Sequence, residues 1–303
     1  MKHLLKMRDL TGEQIGHILD VADRLKAEQK AGGTPALLAG KSVALLFSRQ
    51  STRTRGSFEV GVYQLGGLGS YMNAATELQA ANGEPLRDTA RALGRYYDAI
   101  VWRTARQHDL EEFAEYAGVP VISGMTDYAH PCQVLADLMT VRERKGALEG
   151  KKLAFVGDGN HMANSLIVGG LLAGMQVSCA CPKGCRPAAD VLMFAHKYGA
   201  QFTYTNDPTE AVRGADVVAT DSWVSAPDYN DRDSRRAFSG FQVNRRLLAH
   251  AKPDCMVLHR LPARRGEEID TATFEAHADE IFAETENRLH VQKAVLAVLL
   301  AGA

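Results

Sequence analysis

Short apolar runs alternate with amphipathic stretches of helical period along most of the chain. In the first half the runs "SVALLF" at 42, "GSYMNA" at 69, "AIVWRT" at 99 and "VPVISG" at 119 predict strands. In the second half "KLAFVGD" at 152, "MQVSCAC" at 175, "QFTYTN" at 201, "DVVATDS" at 216, "CMVLHRL" at 255 and "EIFAE" at 280 do the same. Between them lie segments such as "GSFEVGVYQLGG", where Phe58, Val62 and Leu65 share one helical face. Strands alternating with helices predict βα units and parallel sheets. The fold class expected is therefore α/β, with two doubly wound parallel-sheet domains joined by helices. "HPCQVLADLMTVRERKG", from 130, is helical by period and carries the chain from one half to the other. "ENRLHVQKAVLAVLLAG", from 286, is an apolar closing helix.

Length and composition narrow the classes. At 303 residues the chain exceeds the ~250 at which one core stops growing, which favours two domains. Thirty-five basic residues against 36 acidic ones leave no general pull toward nucleic acid or an anionic membrane. No apolar stretch approaches the ~20 residues of a spanning helix. Five cysteines, an odd number, suit reduced thiols in a cytosol better than a disulfide framework, so a cytoplasmic location is expected.

In open α/β sheets ligands bind beyond the carboxyl ends of strands. The polar loops there are "SRQSTRTR" after the first strand, "RT" at 103, "HPCQ" at 130, "GDGNH" at 157, "TDSWVS" at 220 and "HRLPARR" at 259. The first is the most telling. Ser51, Thr52 and Thr54 offer hydroxyls at a helix start, and Arg53 a planar fork matched to phosphate oxygens. A single N-cap residue explains one hydroxyl but not three interleaved with arginine, so phosphate binding is expected. Arg103 ends another strand of the same half. No Walker loop occurs, and "GDGNHMANS" lacks the third glycine of a dinucleotide fingerprint.

Other residues carry two readings each. His130, fixed in the loop by Pro131, and Gln133 offer an imidazole N–H and an amide; the plainer reading of the histidine is a backbone bond at the bend. Arg288 either caps the last helix or reaches a cleft. Asp221 and Ser225 either hold an ammonium or make an Asx turn. Cys179, Cys181 and Cys185 lack a nearby fourth ligand, so no metal is expected. Cys132 beside His130 is a poor nucleophile, because adjacent residues on a bend point apart.

Taken together, "STRTR", "ELQAANGEPLRDTARAL", "HPCQVLADLMT", "VGDGNHMANSL", "HRLPARRGEEI" and "ETENRLHVQKA" resemble the aspartate/ornithine carbamoyltransferase superfamily, in its ornithine branch. The resemblance implies a carbamoyl-phosphate domain over residues 1–133 and an acceptor domain over 134–285. The helix over 286–303 would pack back on the first domain. It also implies a homotrimer or a multiple of trimers, a place in arginine metabolism, and no cofactor. Carried over by position, Ser51, Thr52, Arg53 and Thr54 would hold the phosphate. Arg103 would bridge phosphate and carbonyl oxygen, His130 would donate to that oxygen, and Gln133 and Arg288 would orient the carbamoyl group. His161, Asp221, Ser225, Ala226, Arg260 and Leu261 would meet the acceptor. The expected reaction is carbamoyl transfer from carbamoyl phosphate to a small amine, with ornithine giving citrulline as the leading case.

Three acceptor-side positions depart from the family pattern. Ala226-Pro227 replace Met-Gly, Arg260 stands where the family has cysteine, and His161 where it has asparagine. Arg260 is expected to oppose a nearby ammonium, to turn away and pair with Glu267 or Glu268, or to hold an acidic acceptor. Another diamino acid or an N-acylated amine thus stands beside ornithine. A non-catalytic carbamoyl-phosphate-binding protein is the reading from a different class.

Overall fold

The computed structural model describes residues 1–223 and 236–303. It divides into two units, Met1–Ala136 with Glu286–Ala303, and Asp137–Thr285. In the first unit the order is α1 (Gly12–Lys30), β1 (Ser42–Phe47), α2 (Thr52–Gln64), β2 (Leu68–Asn73), α3 (Leu86–Leu93), β3 (Ala99–Arg103), α4 (Gln107–Ala117) and β4 (Val121–Met125). Helix α5 (Pro131–Lys145) follows and crosses into the second unit. There the order is β5 (Lys152–Val156), α6 (His161–Leu172), β6 (Gln176–Ala180), α7 (Ala189–His196), β7 (Phe202–Thr205), α8 (Pro208–Val212) and β8 (Val217–Thr220). After the undescribed residues come α9 (Arg245–Leu248), β9 (Met256–His259), α10 (Thr271–Ala276) and α11 (Ala278–Leu300).

Each unit holds one parallel sheet. The first runs β2-β1-β3-β4 and the second β7-β6-β5-β8-β9. Parallel strands are covered on both faces, so they read as continuous apolar runs. In "SVALLF" every residue from Val43 to Phe47 is buried, and β3 is buried from Ala99 to Trp102. Phe58, Val62 and Leu65, the face predicted for α2, are all fully buried. Each such side chain contributes about 2 kcal/mol of burial.

The sheet orders fix where ligands fit. From β1 the chain steps to β2 on one side and later to β3 on the other; from β5 it steps to β6 and later to β8. Each reversal opens a crevice at the carboxyl ends of the two flanking strands. The crevices are therefore β1/β3 in the first unit and β5/β8 in the second.

One expected strand is a helix. "EIFAE" lies inside α11, which begins at Ala278, eight residues before the apolar segment that announced it. Ile281 and Phe282 are β-formers, but Glu280 and Glu284 decide the matter. Spaced one helical turn apart, their carboxylates accept the N–H of Val257 at 2.8 Å and of His259 at 3.1 Å, both on β9. Among the described residues no helix is long and apolar enough to cross a membrane.

Candidate active site

In the first unit the β1/β3 crevice is built from the strand exits. After Phe47 the chain is tied to β3: Ser48 N–H donates to the Arg103 carbonyl at 2.9 Å, and Trp102 Nε1–H to Ser48 Oγ at 3.3 Å. The ladder between β3 and β4 shifts at Trp102/Arg103. Gly124 admits this irregularity, since a Cβ there would lie 3.1 Å from the Arg103 Cβ. Arg103 is thus held half-buried at the crevice edge.

Ser51 is the N-cap of α2, its Oγ accepting from Thr54 N–H at 3.3 Å. Thr54 is buried, and its Oγ1 accepts from Arg288 Nη2 at 2.6 Å. Both hydroxyl oxygens therefore serve as acceptors, which leaves their O–H groups to donate. Thr52 is exposed at the first turn and Arg53 half-buried beside it. No acidic residue occupies that turn, so nothing there offsets the partial positive charge of the helix start. The resulting surface of amides, hydroxyls and guanidiniums suits a phosphate.

His130 and Gln133, at the entry of α5, are buried. The loop before them is closed by Thr126, whose N–H donates to the Ala129 carbonyl at 2.9 Å while its Oγ1 accepts from Ala129 N–H at 3.0 Å. Cys132 points at the Ser123 carbonyl, Sγ to O 3.8 Å. Burial pushes its thiol up to about 12, with Arg288 opposing. A thiol so weakly acidic supplies no thiolate nucleophile.

In the second unit the β5/β8 crevice is acidic. Asn160 caps α6, accepting from Met162 N–H at 2.8 Å, and donates to Asp221 Oδ2 at 3.3 Å. The turn before it needs glycine: a Cβ on Gly159 would fall 2.2 Å from the Arg186 carbonyl carbon. Asp221, directly after β8, is buried, and its Oδ1 accepts from Arg260 Nε at 2.7 Å. Burial alone would raise this carboxyl, but Arg260, His161 and His259 outweigh it and hold it below the usual carboxylate range. His161 is buried at the start of α6.

Arg260 pairs with Asp221 across the crevice, its Nε 2.7 Å from Oδ1. Glu268 is engaged elsewhere. Its Oε1 meets His259 Nε2 at 3.0 Å and accepts from Arg264 N–H at 2.6 Å. His259 Nδ1 accepts from Leu261 N–H at 3.0 Å, so Nε2 carries the proton that faces Glu268. This buried pair fastens the turn from which Arg260 and Leu261 project, Leu261 with a left-handed φ of 57°. Ser225 and Ala226 lie outside the described residues.

Sequence reasoning missed three groups here: Asp158, Asn160 and the His259–Glu268 pair. Asp158 was legible in principle, as the first ionisable residue after a buried strand at a sheet reversal. It is partly exposed, and burial together with Asp221 raises its carboxyl to about 6. Among the described residues no group of three or more His, Cys, Asp or Glu side chains is arranged to hold a metal ion.

Residues 2–143 match the aspartate/ornithine carbamoyltransferase carbamoyl-P binding domain, and residues 149–299 the Asp/Orn binding domain of the same family. The ornithine carbamoyltransferase of Carboxydothermus hydrogenoformans is 48% identical over 304 residues, covering 99% of this chain and 97% of that one. The anabolic ornithine carbamoyltransferase of Pyrococcus furiosus is 45% identical, over 99% and 97%. Among solved structures, ornithine carbamoyltransferase from Pyrococcus furiosus superposes with a TM-score of 0.95 at 44% identity, covering 100% of this chain and 98% of that one. The Campylobacter jejuni anabolic enzyme gives 0.92 at 38%, covering 99% of each chain. With residues 2–143 and 149–299 matched by its two domain models, this chain belongs to the aspartate/ornithine carbamoyltransferase family.

Proposed function

We propose that the chain transfers the carbamoyl group of carbamoyl phosphate to the side-chain amine of L-ornithine, giving L-citrulline and phosphate. The observation that carries this reading is the β1/β3 crevice, where Ser51 and Thr54 present O–H groups beside Arg53 and Arg288 is locked onto Thr54 at 2.6 Å. The full-length relatives named for ornithine support the acceptor. Arg260 no longer speaks against it, since its charge is balanced by Asp221.

In this reading residues 1–133 form the carbamoyl-phosphate domain, 134–285 the acceptor domain, and 286–303 a helix returning to the first. Ser51, Thr52, Arg53 and Thr54 hold the phosphate, Arg103 bridges it to the carbonyl oxygen, and His130 donates to that oxygen. Gln133 and Arg288 orient the carbamoyl group. His161, Asp221, Ser225, Ala226, Arg260 and Leu261 line the acceptor side.

The chemistry follows from charge. The acceptor amine, whose pKa is about 10.4 by analogy with lysine, attacks only as the free base. As its N–C bond forms, negative charge grows on the carbonyl oxygen and then on the phosphate as the C–O bond breaks. The proton shed by the nitrogen leaves with the phosphate, so no enzyme nucleophile is needed. Each preorganised donor aimed at that charge lowers the barrier by about 3 kcal/mol, and holding both substrates in line adds a proximity share. A cytoplasmic homotrimer working in arginine metabolism completes the proposal.

The test is a panel of amines with carbamoyl phosphate, read as ureido product and phosphate. Citrulline from ornithine at millimolar concentration is expected. Turnover of another amine with none of ornithine would replace the acceptor, and phosphate release with no amine at all would favour a protein that only binds.

A further inference from the structure

Arg288 reaches the start of α2 from the middle of α11, and the fit between those two helices is set by more than that one bond. Thr54 and Gly61 stand two turns apart on one face of α2. At one end of that face Arg288 Nη2 donates to Thr54 Oγ1 at 2.6 Å. Farther along, Lys293 Nζ donates to Gln64 Oε1 at 3.1 Å. Between them Gly61 lets α11 come close, since a Cβ there would lie 3.2 Å from Lys293 Cγ and 3.5 Å from Leu289 Cδ1. Thr54 and Gln64 are about 15 Å apart along the helix axis, so α11 is pinned to α2 at two separated points. Helix α1 fixes the same stretch. Lys293 Nζ also donates to Gln29 Oε1 at 2.7 Å, and Lys26 Nζ donates at 2.6 Å to Oδ1 of Asn287, the neighbour of Arg288.

Lys293 is 1% exposed, and its printed acceptors are neutral amides, with Glu28 acting on it only through space. Burial lowers its ammonium from the ordinary lysine range. A methionine would fill the same space without desolvating a charge. It would also tolerate sliding, because apolar contacts are non-directional, whereas an ammonium between fixed acceptors is satisfied in one register. A slip of one residue moves a helix about 1.5 Å along its axis. Misplacing a group that grips substrate by about 1 Å costs up to about 10²-fold. We infer that Lys293 is a positioning residue for carbamoyl-phosphate binding: by tying α11 to Gln64 of α2 and Gln29 of α1, it sets the register that presents the Arg288 guanidinium to carbamoyl phosphate beside Thr54. This rests on the reading of the chain as a carbamoyltransferase.

The experiment compares wild type with Lys293→Met, Gln64→Leu and Gln64→Glu, the last of which keeps an acceptor at the same reach. Expected for Lys293→Met is at least a fivefold rise in KM for carbamoyl phosphate, and for Gln64→Leu at least a threefold rise, with KM for ornithine changed less than twofold in both. Gln64→Glu should stay within twofold of wild type for both substrates. Loss of folded protein would lower kcat per chain and leave both KM values in place, so this split separates register from stability. Because Lys293 acts through the Arg288–Thr54 bond, adding Lys293→Met to Thr54→Val should raise KM for carbamoyl phosphate less than twofold beyond Thr54→Val alone. An unchanged KM for carbamoyl phosphate in Lys293→Met, or a parallel rise for both substrates, would overturn the inference. So would full multiplication of the two effects in the double variant, or a Gln64→Glu enzyme as impaired as Gln64→Leu. If Lys293→Met does not fold, Gln64→Leu, at a half-buried position, decides by the same criteria. Wild type that binds carbamoyl phosphate in calorimetry without making citrulline would refute the acceptor reading alone, and the same ratios are then read as dissociation constants. Wild type that binds none would overturn both.

Discussion

Replacing Arg260 by methionine keeps the length of the side chain and removes its charge. Asp221 would then be a buried carboxylate with, among the described residues, Asn160 as its one direct side-chain donor. Breaking a buried pair from one side costs about 3–5 kcal/mol. Arg260 keeps 17% of its side chain exposed, which argues for the low end, near 3 kcal/mol. For a unit running from residue 137 to 285, that corresponds to a fall in Tm of roughly 10 °C. The sign with pH is the sharper test. In wild type the depressed Asp221 carboxyl contributes stability that is present above its unfolded pKa, near 4, and is lost as pH falls through the lower folded value. In the variant burial is left with less to oppose it, so the carboxyl rises and neutralises easily. The variant's deficit should therefore be largest at pH 7.5 and shrink toward pH 5. Adding Asp221→Asn should recover most of the loss. Scanning calorimetry at both pH values decides it. A variant melting within 2 °C of wild type at pH 7.5, or losing more on acidification, would refute the reasoning.

Three further expectations are independent of that pair. Thr54→Val removes the acceptor of a buried guanidinium, and a charged hydrogen bond worth about 1.5–3 kcal/mol predicts roughly 10–100-fold weaker carbamoyl-phosphate binding by calorimetry, with unchanged affinity counting against the site. His290 is buried, and burial with Lys293 and Lys26 holds its imidazole at about 4 against an unfolded value near 6.5. Between those values the unfolded chain binds a proton the folded one refuses, so stability should fall by about 3 kcal/mol as pH drops from 6.5 to 4. His290→Gln should flatten that slope in denaturant titrations, and an unaltered slope would remove His290 as its cause. Cys132 at about 12, with Cys179, Cys181 and Cys255 also buried, leaves Cys185 as the half-exposed thiol. Alkylation of native protein at pH 8 should label Cys185 first, and rapid labelling of Cys132 with loss of activity would revive it as a functional group.

The strands were legible because parallel sheets bury both faces, so "SVALLF" and "KLAFV" stand out against amphipathic neighbours. The start of α2 was legible for the related reason that caps follow local rules. Where reading failed, the deciding partner was distant in sequence. "EIFAE" looks like a strand until Glu280 and Glu284 find the backbone of β9. Arg260 looked toward Glu267 and Glu268 because they are near in the chain, whereas Asp221 lies 39 positions away and Glu268 is consumed by His259. Asp158 carried no motif of its own; its meaning comes from the reversal of strand order at β5, which no local pattern displays.

The account stands or falls with the grip on carbamoyl phosphate at the β1/β3 crevice. Titrating carbamoyl phosphate into wild type and Arg53→Ala, followed by citrulline formation for both, tests it most directly. Saturable binding by wild type is predicted, with turnover in the variant reduced by about 10²–10³, the loss expected on removing one donor to developing charge. No heat of binding from wild type, together with undiminished activity in Arg53→Ala, would contradict it.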